Sequence, residues 1–259
     1  MPFKRLRVLL KSGAVLFLIF NVAYAAPANQ HLRRFDVLWN DLVPRYSNGG
    51  TCMDFERWHS NPDDLKKLDD AVRFLEKEKS ETDSENKIGL AELLNAYNTC
   101  IIQKVLKHYP MDSVNDVPKF FTQKDCKVSG SNFSLNDLEN KARQKGGFRV
   151  LACLWGASKS SPPLKIQTFT KNSIESELNE QMKKWLSVKE LNNFDCRNGN
   201  VFISKVFLWY EDDFGNDDER IKSILFQYGP DGGWREKLEK GSCGIEYMDF
   251  DQGISRACK

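Results

Sequence analysis

The chain has 259 residues, 41% of them hydrophobic, and carries 38 Lys and Arg against 36 Asp and Glu, a formal net charge of +2. A chain of this length can bury one sizeable core or two small ones. A charge so close to balance provides no strong positive field for a phosphate backbone, so we expect no nucleic-acid partner.

The first 25 residues are typical of a secretory signal peptide. Four basic residues lie within the first eleven, an apolar stretch follows at 13–20, and Ala23-Tyr24-Ala25 has the small-x-small pattern of a cleavage site. The apolar stretch is too short to span a bilayer. We therefore predict cleavage near Ala25 and a secreted or periplasmic protein with no stable membrane anchor. Cleavage would leave 34 basic against 36 acidic residues, a slightly acidic protein.

All seven cysteines follow the predicted cleavage site, and their number is odd. In an exported protein this predicts at least two disulfides and one thiol with no partner within the chain. No two cysteines have C-x-x-C spacing and the chain has three histidines, so we predict no structural metal site and no cofactor. The cysteines are Cys52, Cys100, Cys126, Cys153, Cys196, Cys243 and Cys258.

The first half of the chain predicts three helices. Residues 26–49 form an N-terminal leader and a first helix, which the apolar spacing of 35–43 indicates. A second helix is predicted over 61–77, and a charged loop without apolar residues follows at 77–87. The strongest signal lies in Leu90–Tyr109, where apolar residues recur at intervals of three and four.

The second half of the chain mixes strands and helices without regular alternation. Ser134 followed by Asp137 predicts a capped helix start, and the apolar run Phe148–Trp155 predicts a buried strand. We therefore predict a single α+β domain over 50–259, with a central, mostly antiparallel sheet and helices packed around it. The remaining predicted elements are helices from Asn172 and over 217–228, and strands from Val201 and over 243–251.

Four segments resemble, in the same order, the motifs of one family, and a fifth does so more weakly. The four are Leu94–Asn98 with His108–Pro110 (W-I-N-x-Y-N, then Y-P), Phe133–Glu139 (S-L-x-D-I-E), Ala157–Leu164 (a small-residue loop with a double proline) and Ser204–Phe214 (S-K-x-x-x-W-Y-x-x-D-F). The weaker segment, Tyr247–Asp251, is similar to the family's final strand. The family is domain-of-unknown-function family 547, and the resemblance covers roughly residues 50 to 255.

The resemblance implies a thiol-based, hydrolase-like site, because family members tend to carry histidines and cysteines around this loop. The histidine that follows the family's helix-start motif falls on Asn140. Aligned by the double proline, the strand histidine and the two cysteines fall on Leu151, Gly156 and Ser161. A thiolate nucleophile needs a cysteine of lowered pKa beside a base, and neither stands at the matched positions. The chain keeps the family's motifs but not its reactive residues, and this favours a binding or structural module over an enzyme.

The alternative is a hydrolase or an acyl or peptidyl transferase that uses other residues near the 153–164 loop. Its candidate nucleophiles are Cys153, Ser158 and Ser161, and its candidate base is His108. In the competing interpretation Cys153 is a small core residue and His108 is a cation at a helix C-terminus. The enzyme requires a base within about 3.5 Å of a loop hydroxyl or thiol.

The sequence also predicts a cleft for a small-molecule or peptide ligand. Asn95 and Asn98 are three residues apart and can share a helix face, where they either contact a ligand or tie the helix to neighbouring backbone. Trp209 and Tyr210 either form a cleft wall or pack in the core. The full predicted set is Asn95, Tyr97, Asn98, Glu139, Ser204, Lys205, Trp209, Tyr210 and Asp251.

Overall fold

A computed structural model describes residues 37–77 and 88–256 of the chain. The predicted signal peptide, the leader up to residue 36, most of the charged loop and Cys258 lie outside these residues. Among the described helices, none is both long enough and apolar enough to cross a membrane.

Helices make up most of the regular structure in the described residues. The α-helices are α1 (Val43–Tyr46), α2 (Phe55–His59), α3 (Pro62–Lys77), α4 (Leu90–His108), α5 (Leu135–Gly146), α6 (Ile174–Ser187), α7 (Val206–Trp209), α8 (Glu211–Phe214), α9 (Asp218–Tyr228) and α10 (Trp234–Glu239). A π-helical turn spans Leu38–Leu42, and 3-10 turns span Val114–Asp116, Gly147–Cys153 and Cys196–Asn198.

Local capping explains where the two best-predicted helix starts fall. At α3, Pro62 occupies the first helical position and the side-chain oxygen of Asn61 accepts the Asp64 N–H at 3.2 Å. At α5, the Ser134 hydroxyl accepts the Asp137 N–H at 3.0 Å, and the Asp137 carboxylate accepts the Ser134 N–H at 2.9 Å. The reciprocal bonds satisfy amide groups that a helix start leaves without partners.

The prediction of a single α+β domain is confirmed, but the described residues form two separate two-stranded sheets in place of the expected central, mostly antiparallel sheet. Strands β1 (Cys126–Val128) and β2 (Ser131–Phe133) pair antiparallel, whereas β3 (Asn200–Ile203) and β4 (Gly244–Tyr247) pair parallel in a separate sheet. The predicted strand Phe148–Trp155 forms the 3-10 segment Gly147–Cys153 instead. An apolar run buried on every side fits a strand and a buried helical segment equally well, so periodicity could not separate them.

The buried side chains form two hydrophobic clusters, which the 3-10 segment joins. Val150 and Cys153 pack in the first cluster, which surrounds α4, whereas Leu151 and Ala152 pack in the second. Helix α6 also spans both, because Leu178 belongs to the first cluster and its later residues belong to the second. The two clusters are therefore continuous along these two elements, and their boundary lies where the chain turns into the 154–164 loop.

Each cluster holds one disulfide. Cys100 is bonded to Cys126 in the first cluster and Cys196 to Cys243 in the second, each pair with a Cα–Cα distance of 6.0 Å, a separation that disulfides commonly span. Cys52 is also disulfide-bonded. Among the described residues the free thiol is that of Cys153, which is buried.

Candidate functional site

A cleft of about 340 Å³ opens at the boundary between the two hydrophobic clusters. It is lined by Tyr97 of α4, by Glu139 of α5, and by residues of α7 and the following turn. Its volume lies at the lower end of the range for small-molecule sites, which is about 300–1,000 Å³. The lining residues are Tyr97, Phe121, Asn136, Glu139, Leu151, Leu154, Gly156, Ser161, Pro162, Val206, Trp209, Tyr210 and Phe250.

Aromatic rings dominate the mouth of the cleft. Trp209 is 49% exposed although its indole ring lies 4.6 Å from the ring of Phe250, centroid to centroid. The neighbouring Leu208 is also exposed but does not line the cleft. A large aromatic side chain that stays half in water at the edge of a concave site provides contact area to a ligand without first having to unpack from the core.

Glu139 is the one residue with a full charge among the described residues that line the cleft. Its carboxylate is hydrogen-bonded to the Tyr210 hydroxyl and lies 3.6 Å from the Arg143 guanidinium. Arg143 in turn pairs with Asp213 and lies over the Tyr210 ring, 4.8 Å from the centroid. Burial raises the pKa of Glu139, which the hydrogen bond from Tyr210 and the charge of Arg143 oppose.

The same carboxylate affects both tyrosines of the cleft. Burial raises the pKa of Tyr97 and of Tyr210, and the nearby charge of Glu139 raises both further. Both phenols are therefore neutral at physiological pH. They present hydroxyl groups and apolar ring faces, not negative charge, to the cleft.

The two predicted asparagines hold the backbone around the cleft and do not line it. Asn98 donates to the Cys153 carbonyl at 2.9 Å and accepts the Trp155 N–H at 3.0 Å. Asn95 makes the same reciprocal pair with Phe169, at 2.9 and 2.8 Å. Asn98 thus ties α4 to the segment that carries the lining residues Leu151 and Leu154, and Asn95 ties α4 to the chain around Phe169, as expected for buried polar groups that must be paired.

The loop serines pair with each other at the cleft. The hydroxyl oxygens of Ser158 and Ser161 lie 2.7 Å apart, and the Ser161 hydroxyl also accepts the Ser158 N–H at 3.1 Å. Ser161 lines the cleft, whereas Ser158 is buried beside it. A Cβ atom added at Gly156 would lie 2.8 Å from the Ser161 hydroxyl oxygen. Gly156 and Ser161 therefore lie in contact with each other where both line the cleft.

The other candidate catalytic residues lie apart from the serine pair. Cys153 is 1% exposed, its sulfur is 3.6 Å from the Arg149 carbonyl, and burial raises the pKa of its thiol. His108 is exposed as the last residue of α4 and does not line the cleft. Its position at a helix C-terminus suits a cationic side chain.

Four further positions named from the sequence also lie outside the cleft. Ser204 is buried, and its N–H donates to the side-chain oxygen of Asn192 at 2.9 Å; Lys205 is half-buried. Asp251 is exposed, accepts the Gly253 N–H and pairs with Lys159 at 2.9 Å. Asn140 is exposed on α5, where it accepts from Arg143.

The structure thus brings four members of the predicted set into one cleft, namely Tyr97, Glu139, Trp209 and Tyr210. Three of the four positions where family members tend to carry reactive residues lie in the same cleft, as Leu151, Gly156 and Ser161.

Sequence reasoning missed Arg143 and Phe250. Arg143 stands four residues after Glu139, a spacing that signals a helical ion pair. Phe250 lies within the weak final-strand motif, from which the sequence predicts only the neighbouring Asp251 as a cleft residue.

A larger cavity, of about 700 Å³, lies in the second cluster between 186–197 and 230–237. None of the predicted site residues lines it. The smaller cleft, which is lined by both the aromatic rings and the half-buried carboxylate of Glu139, is therefore the candidate functional site.

Comparison with known proteins gives one match. The family model described as "Protein of unknown function, DUF547" matches residues 82–186. This range includes the motifs at 94–98, 133–139 and 157–164, and it ends before α7. No curated protein and no solved structure matches the chain.

Proposed function

We propose that this chain, whose residues 82–186 belong to the DUF547 family, is an exported module that binds a small molecule or a peptide side chain in the cleft between its two hydrophobic clusters. The observation that carries the proposal is the convergence of Tyr97, Glu139, Trp209 and Tyr210 on that cleft. A small, mostly apolar cavity with a few polar groups is the usual form of a ligand site.

The residues at the family's reactive positions support binding without thiol chemistry. Leu151 and Gly156 carry no group that could act as a base or nucleophile, although both line the cleft. Cys153 is buried in the first cluster with a raised pKa, the opposite of the lowered pKa that an attacking thiolate needs. The two predictions of export and of lost chemistry are independent, and the disulfides support the first.

A second candidate, a serine hydrolase or acyl transferase, rests on Ser161. Its hydroxyl lines the cleft, and a general base would have to lie within hydrogen-bond reach of it. The hydrogen-bond partners of Ser161 are the hydroxyl and N–H of Ser158, neither of which is a base at neutral pH. Glu139 is the one carboxylate among the described residues that line the cleft, so it is the base that this mechanism would require.

Fragment binding followed by NMR tests the binding proposal. We expect small aromatic and aliphatic fragments at millimolar concentration to shift the resonances of Tyr97, Leu154 and Trp209 together. Trp209→Ala should weaken that binding at least tenfold. Leu208→Ala is the matched control, because Leu208 is exposed beside Trp209 without lining the cleft. Shifts confined to other surfaces would overturn the proposal.

A covalent probe separates the second candidate from the first. A fluorophosphonate labels an activated serine, so labelling of Ser161 in the native protein, and its loss in Glu139→Gln, would favour the hydrolase. We expect no labelling of the native protein.

A further inference from the structure

We infer that the ligand of this cleft is a small organic cation, such as an alkylammonium ion or the side chain of a lysine, with its charged group among the aromatic rings beside Glu139. The inference rests on the proposed binding function and specifies the chemistry of the ligand.

The first observation is the unusual combination of groups in the cleft. Five aromatic rings and one carboxylate line it, and the described lining includes no lysine, arginine or histidine. The face of an aromatic ring is electron-rich and attracts a cation by about 0.5–2 kcal/mol, depending on how far the cation is desolvated. A half-buried carboxylate among such rings attracts the same charge and repels an anion. The five rings belong to Tyr97, Phe121, Trp209, Tyr210 and Phe250.

The second observation is that one of these rings already contacts a cation within the protein. The Arg143 guanidinium lies over the Tyr210 ring at 4.8 Å and also contacts Glu139 at 3.6 Å. Arg143 is itself paired with Asp213. The group of Glu139, Arg143 and Asp213 therefore keeps a net charge of −1 beside the cleft.

The third observation is the charge of the residues that stand next to lining residues in the sequence. Glu211 and Asp212 follow Tyr210 in the chain and are exposed, and Asp249 is exposed next to Phe250. The nearby Lys159 is already paired with Asp251. Lys205 stands next to Val206 in the same way, so these neighbours comprise three acidic residues and one basic residue outside the Lys159–Asp251 pair. Such a surplus of negative charge raises the local concentration of cations.

The volume of the cleft and its aliphatic lining residues limit the size of the apolar part of the ligand. Leu151, Leu154 and Val206 contribute aliphatic contacts at the bottom of a cleft of about 340 Å³. This volume accommodates a short alkyl chain with its charged head. Free amines and lysine side chains on peptides share this chemistry.

Three probes with the same shape and different charge test the inference on the unmodified protein. Choline carries a trimethylammonium group, 3,3-dimethyl-1-butanol carries the neutral tert-butyl group in its place, and 3,3-dimethylbutanoate carries a negative charge. Binding is measured by NMR titration of the Trp209 indole resonance. We expect choline to bind at least tenfold more tightly than the alcohol, and the carboxylate to bind most weakly.

The outcomes separate the two levels of the argument. Equal affinity for choline and the neutral alcohol would overturn the cation inference and leave the binding cleft standing. Failure of all three probes, together with failure of the fragments above, would overturn the cleft itself. Glu139→Gln should remove at least tenfold of the preference for choline while leaving the affinity for the alcohol within twofold, and a preference unchanged in this variant would also overturn the inference.

A blocked lysine amide and its norleucine analogue, used in the same titration, distinguish the two sources. Tighter binding of the lysine amide than of choline identifies a peptide ligand, and the reverse order identifies a free ammonium compound. In either case the norleucine analogue, which lacks the ammonium group, should bind at least tenfold more weakly than the lysine amide, and equal binding would contradict the inference.

Discussion

Replacing Asn98 by alanine removes two hydrogen bonds between α4 and the backbone beside the cleft. The Asn98 side chain is fully buried and makes one bond to the Cys153 carbonyl and one from the Trp155 N–H. The alanine leaves both backbone groups buried without a partner, at about 1–3 kcal/mol each. We expect Asn98→Ala to lower the free energy of unfolding by about 3 kcal/mol, a large part of the 5–15 kcal/mol that is usual for a domain.

Urea denaturation followed by tryptophan fluorescence measures this loss, and Asn95→Ala is the matched control. Asn95 makes the same reciprocal pair of bonds with Phe169, but Asn95 itself is 8% exposed, so water can enter the space that an alanine would open. The control should therefore lose less, about 1–2 kcal/mol. A loss below about 1 kcal/mol for Asn98→Ala, or a larger loss for Asn95→Ala, would refute the reasoning from buried, unsatisfied backbone groups.

Three further predictions concern titration, reactivity and the geometry of the loop. Burial raises the pKa of Glu139 above its ordinary 4.5, so the folded protein holds this proton more tightly than the unfolded chain does. The free energy of unfolding should therefore fall as the pH rises from about 4.5 through the folded pKa; the difference between wild type and Glu139→Gln isolates this slope, and parallel stability curves for the two proteins would contradict it. Cys153 is buried with a raised pKa, so at pH 7 iodoacetamide should label it about a hundredfold more slowly in the native protein than in urea; equal rates would show an accessible, activated thiol. A Cβ atom at Gly156 would lie 3.9 Å from the Cβ of Ser161, within the range of about 3.5–4.5 Å for disulfides. The double variant Gly156→Cys with Ser161→Cys should thus oxidise in air and gain about 2 kcal/mol over its reduced form. Two titratable thiols in addition to that of Cys153, counted in the denatured protein after oxidation, would rule out the assumed geometry.

Helix boundaries could be predicted because the residues that set them are neighbours in the sequence. Ser134 and Asp137 cap α5 whatever packs against it, and Asn61 with Pro62 does the same for α3. The segment Phe148–Trp155 differs, because its backbone form depends on two clusters assembled from distant parts of the chain. Its composition indicates burial correctly and contains no signal for the choice between a strand and a 3-10 turn.

The candidate site could be predicted only in part, and for a similar reason. A motif read from sequence mixes residues that line a cleft with residues that hold its backbone. Tyr97 lines the cleft, while Asn98 in the same motif bonds to the backbone of Cys153 and Trp155. The pairing of Arg143 with Asp213 joins positions 70 residues apart, so nothing local to α5 announces it.

The position of the cleft between two hydrophobic clusters makes any occupant a mechanical link between them. Tyr97 and Leu154 belong to one cluster, and Leu151 and Val206 belong to the other. An occupant that touches both walls resists separation of the clusters, and at a concentration a hundred times its Kd it adds about 2.7 kcal/mol to the free energy of unfolding. Amide hydrogen exchange in the Gly147–Cys153 turn and in α6, which span both clusters, should slow more on binding than exchange in α3 or α9, whose buried apolar residues each belong to one cluster alone.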